Sequence, residues 1–152
     1  PPIYTLFPYT TLFRSGFADR LENMIADFRP GTEVERDQYA TTIMDRQALR
    51  LLGSAALARA ARGEDDVAAI SVLKLLGSEA ELRGMELALA SAGPDGLMSP
   101  GQTGPYAHMN LDHYFASWFE RYARSFSGTI AGGTSEIQRN IIAQRMLGLP
   151  RG

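Results

Sequence analysis

Between the Arg29-Pro30-Gly31 break and Gly63, apolar residues recur at helical spacing: Ala40, Ile43, Met44, Ala48, Leu51, Leu52 and Ala55. A helix of about 29 residues is a rod of roughly 44 Å at the standard rise. Such a rod is long for a compact globule and natural for an elongated helical bundle. It is expected to start near Thr32, with Glu33 and Glu35 as favourable negative charge in its first turn. Ahead of it, Phe17, Leu21, Met24, Ile25 and Phe28 mark a shorter helix that the proline and glycine stop.

A third helix is expected over 64–91, opened by Glu64, Asp65 and Asp66 and closed by AGPDG, with Val72, Leu76, Leu87 and Ala90 on its buried side. Residues 93–105, GPDGLMSPGQTGP, read as the one long loop. After it, Phe115, Trp118, Phe119, Tyr122 and Phe126 form an aromatic stripe at helical spacing, which points to core or a subunit interface. With no basic surface beside it, the stripe is a poor platform for stacking nucleic acid bases. A last helix is expected over 135–147, ended by Gly148 and Pro150. The expectation is therefore an all-α fold: an antiparallel up-down bundle of four long helices plus a short one.

Composition narrows the chemistry. The 152 residues contain no cysteine, which removes disulfides, thiolate nucleophiles and cysteine-bound metals, and which agrees with a reducing cytoplasm. His108 and His113 are too few for a histidine-rich metal site, and no metal is expected. A net charge of -2 makes no electrostatic case for nucleic acid or an anionic membrane. No apolar run approaches the roughly 20 residues that a membrane helix needs.

Residues 1–15 stand apart. The string TLFPYTTLFRS says TLF twice and carries no acid. Pro1, Pro2 and Pro8 interrupt its apolar run and its only basic residue, Arg14, follows that run, so it is no secretory signal. As a strand it has no partner. It resembles, residue for residue, the conceptual translation of a sequencing-library adapter. Residues 1–15 are accordingly expected to be a non-native, loose extension, 16–152 to be the domain proper, and the natural protein to be longer at its amino end.

The stretch richest in information is TIAGGTSEIQRNIIAQRMLGLPR, starting at Thr129. Gly132 and Gly133 allow positive φ or close approach of another group. Ser135 and Gln138 have the spacing of a capping box, placing a helix start at Ser135 whose free amides would suit an anionic or carbonyl-rich ligand. On these residues alone, a tight connection is the simpler reading. The stretch also resembles the C-terminal signature of the acyl-CoA dehydrogenase family, a G-T-x-E/Q-I-Q-R run followed by I-x-A and often LGLPR. AISVLKLLGSE from Ala69 and AGPDGL from Ala92 extend the likeness over nearly all of 16–152.

The resemblance implies the C-terminal helical bundle of a three-domain, FAD-dependent enzyme that forms homo- or hetero-oligomers. Such enzymes oxidise the Cα–Cβ bond of an acyl-CoA thioester, passing hydride to flavin N5. It implies further that Thr134 and Glu136 touch the flavin. Gly93 and Gly96 match a G-G-N-G turn that meets the adenosine side of FAD from a neighbouring subunit; here the turn reads G-P-D-G, with Ala90 where a glutamine is frequent. Lys74 matches a frequent family lysine and is expected on a helix surface, while Arg139 is expected in an ion pair or interface. Many members carry the catalytic glutamate two residues before the threonine. That position is Gly132, which has no proton-accepting side chain. The base then comes from an earlier helix of the bundle, from a partner subunit, or not at all. Three functions compete: a dehydrogenase subunit, a non-catalytic subunit or interaction bundle of a heteromeric enzyme, and a free-standing helical domain.

Overall fold

The computed structural model describes residues 7–64, 67–98 and 117–150. It consists of α1 (Phe7–Asp27), α2 (Glu33–Ala61), α3 (Val67–Ala92), a 3₁₀ turn (Gly93–Leu97), α4 (Trp118–Ile130) and α5 (Ser135–Arg145). No strand occurs among the described residues. Successive long helices run antiparallel: Glu22 and Ile25 of α1 meet Arg46 and Tyr39 of α2, and Glu35 and Asp45 of α2 meet Ser91 and Arg83 of α3. The expected all-α up-down bundle is what forms.

Local chemistry accounts for the helix ends. Thr32 caps α2: its hydroxyl accepts from the Glu35 amide while the Glu35 carboxylate accepts from the Thr32 and Gly31 amides. Ser117 and Glu120 form the same reciprocal pair at the start of α4. Gly148, at φ +66°, reverses the chain after α5 so that the Leu149 amide reaches the Ala143 carbonyl at 2.9 Å. The backbone of α1 begins at Phe7, within the segment expected to be a loose extension. Pro8 lies in its first turn, where a missing N–H breaks no helical bond.

Helix α3 is the axis of the bundle and packs against all four other helices. Seven of its twelve buried positions are small: Ala68, Ser71, Gly77, Ser78, Ala80, Gly84 and Ala88. A Cβ on Gly77 would lie 2.5 Å from Cδ2 of Phe17, so α1 sits against bare backbone there. One end of the core gathers Phe17, Ala18, Leu21, Leu49, Leu73 and Ala80; the other gathers Met24, Phe28, Met85, Leu87 and Ala88, with Trp118 and Tyr122 of α4 packed on it.

Two expectations about faces need correction. Helix α2 buries Thr42, Leu49 and Gly53, whereas Met44 and Leu51 are 70% and 62% exposed and Ile43 and Leu52 are 36% and 40% exposed. Its contact seam combines small residues with ion-paired ones, Arg46 to Glu22 and Asp45 to Arg83, and an apolar count does not register either. On α3, Leu87 is buried as expected, but Ala90 is exposed and Val72 and Leu76 are only half-buried. Of the aromatic stripe, Trp118 and Tyr122 face the core while Phe119 and Phe126 are exposed. Phe115, His108 and His113 lie outside the described residues.

Candidate functional site

The backbone between α4 and α5 turns through two glycines in the left-handed region, Gly132 at φ +71° and Gly133 at φ +100°. The cap of α5 is Thr134, one residue before the expected Ser135. Its hydroxyl accepts from the Ile137 amide at 3.4 Å, and Ser135 is already helical. Gln138 closes no capping box. Buried, it donates through its side-chain amide to the Gly132 carbonyl at 2.7 Å, which ties the turn back onto α5. The physical reason is reach: with two left-handed glycines the carbonyl of Gly132, not a cap amide, is what comes within range of Gln138. A Cβ on Gly133 would meet that same amide at 2.8 Å, so a side chain there would break the tie.

Glu136 lies in the first turn of α5 and is exposed. Its own backbone amide, the Thr134 hydroxyl and the nearby Arg139 and Lys74 cations hold its carboxyl below the usual value. Arg139 bonds Glu79 of α3 and lies 3.7 Å from Glu136, as expected of an ion-pairing residue. The structure contradicts a surface role for Lys74. It is 2% exposed, and its ammonium donates to the Thr129 carbonyl at the end of α4, 3.4 Å away. Burial pushes that ammonium down, against the attraction of Glu79 and Glu136. Glu79 and the burial of Lys74 were missed from sequence, because only the packing of α3 against α4 and α5 brings them to the turn; the Gln138 tie is local, and was missed because Gln138 has the spacing of half a capping box.

The other pair of site glycines sits elsewhere. Gly93, at φ +57° and exposed, and Gly96, buried against Leu89 and Ala92, belong to the 3₁₀ turn beyond the C-terminal end of α3. From Lys74 to that turn is about 28 Å of helix. Thr134 and Glu136 are therefore together at one end of α4, and Gly93 and Gly96 at the other.

A family model for the acyl-CoA dehydrogenase C-terminal domain matches residues 32–147, from the cap of α2 past the end of α5. The chain belongs to the acyl-CoA dehydrogenase family. Acyl-CoA dehydrogenase IpdE1 of Mycobacterium tuberculosis is 47% identical to it over 57 residues, covering 38% of this chain and 13% of that protein. The protein of the same name from Mycolicibacterium smegmatis is 60% identical over 37 residues, 24% of this chain and 9% of its own length. Two structures of a Tcur3481-Tcur3483 steroid ACAD, one of them a variant, share the fold with TM-scores of 0.70 and 0.67 at 20% and 24% identity. This acyl-CoA dehydrogenase domain is covered to 99% and 93% in those superpositions, and it spans 38% of each solved chain. No helix among its described residues is long and apolar enough to cross a membrane.

Proposed function

We propose that this chain is the C-terminal part of an FAD-dependent, cytoplasmic acyl-CoA dehydrogenase subunit that takes part in α,β-dehydrogenation of an acyl-CoA thioester. The observation that carries the reading is the turn at Gly132 and Gly133, opening α5 with Thr134 as its cap, inside a domain matched to the family over 32–147. Its residues fit one edge of a flavin. The Ser135 amide precedes the first intrahelical bond of α5, and no bulky side chain stands on the glycine turn. Thr134 and Glu136 would hold that edge, and FAD, when bound, supplies the hydride acceptor. Gly93 and Gly96, at the opposite end of α4, would serve the adenosine side of a cofactor held by a neighbouring subunit.

A second reading is favoured by the carboxylates. Gly132 is left-handed, a conformation that strains any L side chain, so a glutamate is poorly accommodated there. The carboxylates that the described residues bring to the turn, Glu79 and Glu136, are both paired with Arg139, and Glu136, whose carboxyl is held low, is a weak proton acceptor. This supports a subunit of a heteromeric enzyme whose partner supplies the base, and the steroid ACAD whose fold it shares carries a paired name. The complete subunit should be purified alone and with a homologous partner that keeps the glutamate. FAD retention with turnover deficient by about 10²- to 10⁴-fold alone, and restored by the partner, supports the heteromer. Full turnover alone assigns the base to an earlier helix, and loss of FAD from both preparations sinks the flavin reading.

A further inference from the structure

Lysine is seldom placed 2% exposed, as Lys74 is, unless its charge meets a partner, because desolvating an ammonium is costly. The partner here is the C-terminal end of a helix. The last carbonyls of α4 have no amide ahead of them to accept from, and they carry the negative end of the helix dipole. Ala131 satisfies Ser127 at 2.8 Å, and Lys74 donates to Thr129 at 3.4 Å. Immediately beyond, Gly132 and Gly133 leave the helical path. On the far side of the turn, Glu79, also on α3, bonds Arg139 of α5. The turn is thus tethered to the same helix both before and after its two glycines.

We propose that Lys74 is a positioning residue: by holding the end of α4 to α3, it fixes the turn that presents Thr134 and Glu136. The geometry needs only this chain, and the functional weight of the proposal rests on the flavin reading above. The cation does what no apolar residue of similar length can do at that point, which is to attract a helix end. Glu136 and Glu79 add to its hold by facing it from α5 and from α3.

Hydrogen exchange of this chain, followed amide by amide, tests the proposal. In the unaltered chain the Ala131 amide should exchange at least about tenfold more slowly than the Met146 amide, which makes the comparable C-cap bond to Ile142 at the end of α5. Equal rates overturn the proposal whether or not any variant folds. Lys74→Met keeps the length and removes the charge. It should speed exchange at Ala131, and at Gln138, whose amide bonds the Thr134 carbonyl, by about tenfold while leaving the central amides of α3 unchanged, and Lys74→Arg should restore protection. Exchange that rises uniformly through α3, α4 and α5 marks a general packing role and overturns it, as does no change at the turn. In the complete subunit, Lys74→Met should weaken FAD retention. A loosened turn with undiminished FAD retention leaves the positioning role standing and counts against the flavin reading.

Discussion

Gly77 shows at residue scale how a single absent atom sets a helix contact. Alanine in a helix interior is worth about 1 kcal/mol more than glycine, so an exposed Gly→Ala change there would stabilise. At Gly77 the new Cβ would meet the ring of Phe17, itself buried, at 2.5 and 2.7 Å. Overpacking of this kind costs typically about 1–3 kcal/mol, so Gly77→Ala should lose up to about 2 kcal/mol net. A lower urea midpoint at unchanged slope would show it, and a gain in stability would mean that Phe17 has room to move. Glu35 supplies a second test. The Ser91 hydroxyl, together with the Thr32 and Gly31 amides, holds its carboxyl at about 2, against an ordinary 4.5. A carboxyl lower in the folded than in the unfolded state contributes stability above the unfolded value, and that contribution is lost as pH falls. Glu35→Gln should therefore flatten the loss of stability between about pH 5 and 2. Thermal melts across that range would show parallel acid limbs if the idea is wrong.

Between elements, the strongest polar tie links α1 to α3. Arg20 grips Glu81 with two nitrogens, one of them 2.9 Å from Oε2, and the Glu81 side chain is 5% exposed. Burial raises the Glu81 carboxyl and Arg20 opposes that rise. Arg20→Ala would leave this carboxylate buried and unmatched, at a cost of about 3 kcal/mol. Arg20→Met with Glu81→Leu removes the charge and the partner together and should recover most of the loss. Equal losses in the single and double variants, read by chemical denaturation, would show that the pair contributes through packing alone. The capping residues belong to the same scale. Thr32, Ser117 and Thr134 each stand directly before the first helical residue and accept from an amide three residues on.

For the whole molecule, the bare apolar surface matters most. Met44, Leu51 and Ile43 on α2, and Phe119 and Phe126 on α4, leave more hydrophobic area open than a lone domain of this size usually tolerates. The isolated chain should self-associate at micromolar concentration, and Met44→Lys with Leu51→Lys should reduce that association. A clean monomer by light scattering at high concentration would count against it. We also propose that residues 1–15 are foreign to the natural protein. A chain starting at Gly16 should then melt at the same temperature as the full one. A clear loss of stability on trimming would show that the segment belongs to the bundle.

Sequence alone determined the helix count, most helix boundaries, the all-α class and the family likeness, because breaks and caps act through neighbours a few residues apart. Pro30, Thr32, Gly63, Gly93 and Gly148 do the same work in any surroundings. Even there a one-residue uncertainty survived: Thr134 and Ser135 both suit a cap, and the paired glycine conformations decided for Thr134. Tertiary structure alone decided which face each helix turned inward. Helix α2 has apolar residues on both sides, and the side it buried is the one that could approach α1 and α3 closely through Thr42 and Gly53 and pair its charges. It likewise decided the place of Lys74. A lysine on a helix reads as solvent-facing until the end of another helix arrives to meet it, and that arrival depends on contacts between residues more than fifty positions apart, from Lys74 to Thr129.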